Sequence, residues 1–162
     1  MIIYFYKLRP TYHPFPLFSW AIMVFQGMLP WKKNAYSHMA MGFHSETGAL
    51  KIADVPFAGA REMTGDAFFK KYDKVDIKKR TYGIDRIEFL KWLESHEHKV
   101  YDHKQILGLA LKILNIRGFN KSGSNFEKLI CSELILSFLV EFDGLKLNDP
   151  DNWDLHMTWD AI

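Results

Sequence analysis

The chain is expected to form a single α+β domain over residues 1–162, a small antiparallel sheet packed on a central helix. Three observations lead there. Two stretches with strand-like alternation, 36–43 and 49–57, flank Glu46-Thr47-Gly48, a loop whose length and final glycine suit a hairpin with a left-handed bulge residue. An apolar run from Lys128 onward places Cys131, Leu134, Ile135, Phe138, Leu139 and Phe142 on one helix face, with Leu136 and Val140 widening it. The length, with 48% hydrophobic and 25% charged residues, fits one globular unit that buries a core without covalent staples.

Taken in order, residues 2–8 are rich in β-branched and aromatic side chains and predict a first strand, closed by Pro10. Trp20, Met23, Val24 and Gly27 predict a helix over 18–28, with Pro16 placed for its start and Pro30 for its end. Lys32-Lys33-Asn34 is a polar loop, and His38 lies near the beginning of the strand that follows. If Ser45 pairs with Ala49, Ala40 falls opposite Asp54, and His38 becomes the diagonal neighbour of Asp54 on one face.

Further on, Thr64 with Ala67, Phe68 and Tyr72 predicts a short capped helix, and 75–82 alternates as another strand with Asp76, Lys78 and Arg80 on its wet face. Asp85 begins a helix through Ile87, Leu90, Trp92 and Leu93, and Asp102 begins one ending at Gly118. Residues 118–125 form a loop, and Asp143-Gly144 ends the cysteine helix. Ser124 to Glu127 reads as a capping box, which would begin the cysteine helix a turn or more before Cys131. The tail from Asn148, with Trp153 and Trp159, reads as loop or edge strand.

A formal charge of +2 gives no electrostatic case for a nucleic-acid or membrane-surface partner. The most membrane-like stretch, 14–29, contains two prolines and Gln26 and is too short to span, so no integral membrane segment and no export signal are expected. One cysteine forms no internal disulfide, which suits a reducing compartment and predicts a cytoplasmic protein.

A lone thiol on an apolar face packs by default as a small hydrophobe. Nucleophilic catalysis needs more: a base within hydrogen-bond reach and a group to orient that base. Cys131, His38 and Asp54 are one such set among seven histidines, and Asp54 has Arg61 and Lys51 as alternative partners. The histidine-dense Ser95-His96-Glu97-His98, with His103, lacks the i, i+4 spacing of a helical metal pair and reads as a solvated connector. Phe15, Phe18, Trp20, Phe25, Met28 and Trp31 offer a lipid-binding groove or simply core. There is no phosphate loop, dinucleotide fingerprint or Gly-x-Ser-x-Gly elbow.

Tyr36-Ser37-His38 opening a strand, an acidic residue ending the next, and Cys131-Ser132-Glu133-Leu134 opening a distant helix together resemble the circularly permuted NlpC/P60 group of papain-like proteins, the YiiX-like amidases. The resemblance spans roughly residues 19–137 and, because it has Cys131 open its helix, implies a break over 128–130 after the capping box. It implies a papain-like core in which Cys131 is the nucleophile, His38 the base and Asp54 the third residue. The activity implied is cleavage of an amide or ester in a small-molecule, peptide or lipid-like substrate, through a thioacyl intermediate and without metal or organic cofactor. The chain differs from the family pattern in lacking the Gly-Asp pair near the first strand, in having Ala40 where glycine is usual, and in having Asp54 for glutamate. His44 is an alternative third residue, as in retinol-acyltransferase-like proteins. A lipid acyltransferase and a catalytically silent binding protein are the two rival readings.

Overall fold

The computed structural model describes residues 1–11, 19, 22–24, 33–55, 61–96, 100–101, 128–129, 131–146 and 155–162. Its sheet has β2 (His38–His44) at the centre, between β1 (Ile2–Pro10) and β3 (Leu50–Asp54), with β5 (Tyr72–Thr81) at the edge beyond β1 and β4 (Arg61–Thr64) at the edge beyond β3. All four pairings in this five-stranded sheet are antiparallel. β1 is strongly apolar, as its place between two neighbours requires. Pro10, which has no N–H for the ladder, stands at the strand end where that loss is tolerated.

Alternation along the strands divides the core into two layers. Ile3, Phe5, Met39, Met41, Phe43 and Ala53 face α3 (Cys131–Phe142). Tyr6, Leu8, Ala40 and Ile52 face the other way, under Phe68 of the short α1 (Gly65–Phe69). α3 is buried on nearly every side, as its apolar character all round demands. Its Phe138 meets Phe5, Tyr82, Phe89 and Trp92 at ring-centroid distances of 6.1, 4.9, 5.8 and 5.3 Å. Phe89 and Trp92 belong to α2 (Arg86–Glu94), so these aromatics tie helix to sheet and helix to helix.

Local chemistry sets the boundaries as expected. Gly48 takes φ 78°, its N–H donates to Ser45 O, and Ser45 N–H donates to Ala49 O at 2.8 Å. Thr64 caps α1 by accepting from Ala67 N–H, and Asp85 caps α2 by accepting from Glu88 N–H at 2.8 Å. α3 closes at Gly144, φ 66°, with Leu145 N–H donating to Leu139 O.

Several expectations are corrected. Tyr72 opens β5 and is not part of a helix with Phe68, because the helix stops at Phe69 and the chain turns into the sheet. β1 runs on to Pro10, where it pairs with Tyr72. In the described part of the tail, α4 (Leu155–Ala161) stands where a loop or edge strand was expected, and Trp159 buries itself in the main core. Two features have no counterpart in the sequence-based expectation: β4, and a small parallel pair of β6 (Val100–Tyr101) with β7 (Lys128–Leu129). β7 supplies the expected interruption before α3, which starts at Cys131. The predicted helix over 102–118, the loop after it, the capping box and most of the 18–28 helix lie outside the described residues. Of that first helix, Ser19 and 22–24 are helical. No helix among the described residues is long and apolar enough to cross a membrane.

Candidate active site

The hairpin register does what the turn chemistry predicts. Met41 faces Ala53 and Gly42 faces Ile52, which sets His38 diagonally next to Asp54. His38 Nε2 stands 2.5 Å from Asp54 Oδ1. This is a short charge-assisted contact between two buried groups, with the Asp54 side chain 1% exposed and that of His38 11%. Directly across from Asp54 on β4 lies Arg61, whose Nη2 is 4.0 Å from the second carboxylate oxygen. Asp54 thus bridges a buried imidazole and a half-exposed guanidinium. Lys51, the other predicted partner, instead pairs with Glu62 at 2.8 Å.

Cys131 is the first residue of α3, and α3 packs on β2. Cys131 is 6% exposed, and its thiol lies near enough to His38 to act, with Asp54, on the imidazole's proton affinity. Because Asp54 occupies Nε2, Nδ1 is the ring nitrogen left for a second partner. Burial opposes charge on the imidazole, but the negative charges of Asp54 and Cys131, with their hydrogen bonds, outweigh it and raise the His38 pKa well above the ordinary 6.5. The site therefore favours the protonated form of His38. Helix position agrees with this, since the unpaired N–H groups of a first turn favour negative charge beside them.

Two aromatic side chains complete the surroundings of His38. Tyr72 stacks on the imidazole with centroids 5.0 Å apart and planes 24° from parallel, and Phe68 lies 6.4 Å from it. Burial raises the Tyr72 pKa, an effect that His38 opposes and Asp54 and Cys131 reinforce. Neither ring was among the predicted site residues. The signal available was an aromatic at a strand start, which is too common to single out.

His44 sits at the far end of β2, six residues and roughly 20 Å along the strand from His38. It is exposed, donates from Nδ1 to Gly48 O at 2.9 Å, and lies edge-on to Tyr4. His44 is a hairpin residue and does not reach the His38 ring. His96 is likewise no solvated connector. It is buried, donates from Nδ1 to Trp92 O at 2.8 Å, and accepts at Nε2 from the Ser137 hydroxyl of α3 at 3.0 Å. His98 and His103 lie outside the described residues, as do Phe15, Phe18, Trp20, Phe25, Met28 and Trp31 of the aromatic helix. Among the described residues no group of three or more His, Cys, Asp or Glu is placed to hold a metal ion.

No protein-family model matches this chain, and neither the curated proteins nor the solved structures contain a match to it.

Proposed function

We propose that the protein is a papain-like cysteine hydrolase of the permuted NlpC/P60 kind, cleaving an amide or ester bond. The observation that carries this reading is the chain of contacts from Cys131 at the start of a helix to His38, and from His38 to Asp54. A structural thiol needs none of these partners, and a buried imidazole–carboxylate pair is costly to assemble unless its charge is used or compensated.

In this reading the Cys131 thiolate attacks the carbonyl carbon, and the oxygen takes up the electron pair. Backbone N–H groups in the first turn of α3 stabilise that oxyanion. His38, as imidazolium, gives its proton to the departing amine or alkoxide, which leaves a thioacyl bond on Cys131. Water then attacks the thioester while His38 takes its proton, and collapse expels the acid and restores the thiolate. Asp54 holds the ring so that Nδ1 faces the sulfur and stabilises the positive charge.

The test is hydrolysis of a panel of simple esters and amides by the purified chain, with Cys131→Ser and His38→Ala alongside. Both variants should fold and lose turnover. Full activity in either variant contradicts the proposal. The acyltransferase alternative rests on the aromatic stretch around 15–31, which lies outside the described residues, and on His44 as third residue, and His44 instead bonds to Gly48 O at the hairpin.

A further inference from the structure

We infer that Tyr72 is a positioning residue: its ring, turned onto the site by the β-bulge in the β1–β5 pairing, holds the His38 imidazole in line with Asp54 and Cys131. This rests on the cysteine-hydrolase reading for its consequence in turnover, but its geometric basis is separate.

The bulge decides which way Tyr72 points. Lys7 faces Asp76, whereas Leu8 faces Lys74, so Val75 is an extra residue on β5. Paired residues share a face of the sheet, and one inserted residue reverses the faces of everything beyond it. Without Val75 as the extra residue, Leu8 would face Val75 and Pro10 would face Asp73. Val75 would then point to the α1 side of the sheet and Tyr72 to the α3 side. In the structure Val75 packs against the α3-side core and Tyr72 against the α1-side cluster, on the face that carries His38 and Asp54. The bulge therefore satisfies an apolar residue and aims an aromatic one at the site in a single step.

A histidine ring on a strand still has freedom to turn. Rotation about its χ2 has a broad, weakly structured profile, so a strand position fixes the ring's location better than its plane. The hydrogen bond that Nε2 donates to Asp54 fixes one nitrogen and leaves the ring able to pivot about that contact. Tyr72 closes one face of the imidazole at 5.0 Å, and Phe68, 4.8 Å from Tyr72 and 6.4 Å from His38, packs beside both rings. An aromatic face against an imidazolium is also electrostatically favourable. Among the described residues, the charged and titratable groups facing His38 are Asp54 from β3, Cys131 from α3 and Tyr72 from β5, with Arg61 of β4 behind Asp54, while α1 offers the uncharged Phe68.

The experiment compares wild type with Tyr72→Phe and Tyr72→Leu, reading the NMR titration of the His38 ring and the rate of Cys131 alkylation by iodoacetamide at pH 6. Tyr72→Phe keeps the stacked ring, so its titration midpoint and its alkylation rate should match wild type. Tyr72→Leu frees the ring, so the His38 midpoint should move down towards 6.5 and alkylation should slow by about 10-fold or more, on the scale of a small misplacement of a reacting group. A Tyr72→Leu protein with wild-type midpoint and rate overturns the inference. So does a folded Tyr72→Phe protein with a shifted midpoint, which decides the matter even if the leucine variant does not fold. Alkylation of wild type no faster than that of His38→Ala would instead overturn the hydrolase reading, leaving the titration to judge Tyr72.

Discussion

His38 and Asp54, sixteen residues apart in the chain, meet at 2.5 Å because a three-residue turn sets the register of the two strands that carry them. Diagonal pairs on adjacent strands are normally too far apart for short side chains to bond, but an imidazole spans much of that gap. Aspartate then reaches without the extra methylene of glutamate.

Asp54 is consequently the residue whose replacement separates orientation from chemistry. Asp54→Asn should fold and keep Cys131 and His38 in place, yet lose the charge that favours the imidazolium. Turnover should fall by about 10²-fold, within the usual range of acid–base contributions, while His44→Ala should change it little. Asp54→Glu should also lower activity, since the contact is already short and the carboxylate is 1% exposed, with no room for another methylene. Steady-state kinetics on the best ester substrate check all three, and wild-type turnover in Asp54→Asn would remove Asp54 from the site.

The raised His38 pKa makes stability depend on pH in a definite direction. A group that binds its proton more tightly when folded stabilises the fold fully below its unfolded value of 6.5, and that contribution is lost as pH rises through the higher folded value. The gap in Tm between wild type and His38→Gln should thus be greatest at or below pH 6.5 and shrink as the pH is raised. Thermal melts across that range measure it, and a gap that widens with pH would contradict the proposed charge state.

Gly48 carries the register argument. Its φ of 78° is favourable for glycine and unfavourable for a β-branched residue, while the space around it is open, since a Cβ at this position would meet nothing within 4 Å. Gly48→Val should therefore destabilise the protein through the backbone alone, by about 1–2 kcal/mol, and Gly48→Asn by less. Chemical denaturation reads this difference, and equal stability in the two variants would show that the turn does not depend on that conformation.

What could be read from sequence divides along physical lines. Ser45, Gly48, Thr64 and Asp85 act through bonds to residues three or four away, so turn and cap chemistry predicted them. The apolar face of α3 was legible for the same reason of local pattern, whereas its start at Cys131 followed from the resemblance and ran against the capping box at 124–127. β4 is four residues long, Arg-Glu-Met-Thr, with too little alternation to signal a strand, and it exists because β3 offers an edge. β6 and β7 pair two residues each across a long stretch of chain, which no local pattern encodes. The bulge at Lys7/Leu8 and the stacking of Tyr72 on His38 likewise arise only when β1 and β5 meet. His96 looked solvent-facing because its neighbours are polar, but Trp92 and Ser137 provide it with a buried set of hydrogen-bond partners.

The claim that Cys131 and His38 act as nucleophile and base is tested most directly by trapping the thioacyl intermediate. Wild-type protein mixed with p-nitrophenyl acetate and quenched early should show, by intact-mass and peptide mass spectrometry, one acetyl group on Cys131, formed as p-nitrophenolate is released and lost as turnover proceeds. His38→Ala should form that adduct far more slowly, and Cys131→Ser should form none at that position. Acetylation spread over surface lysines with Cys131 untouched, or an adduct on Cys131 that forms equally fast without His38, would contradict the account.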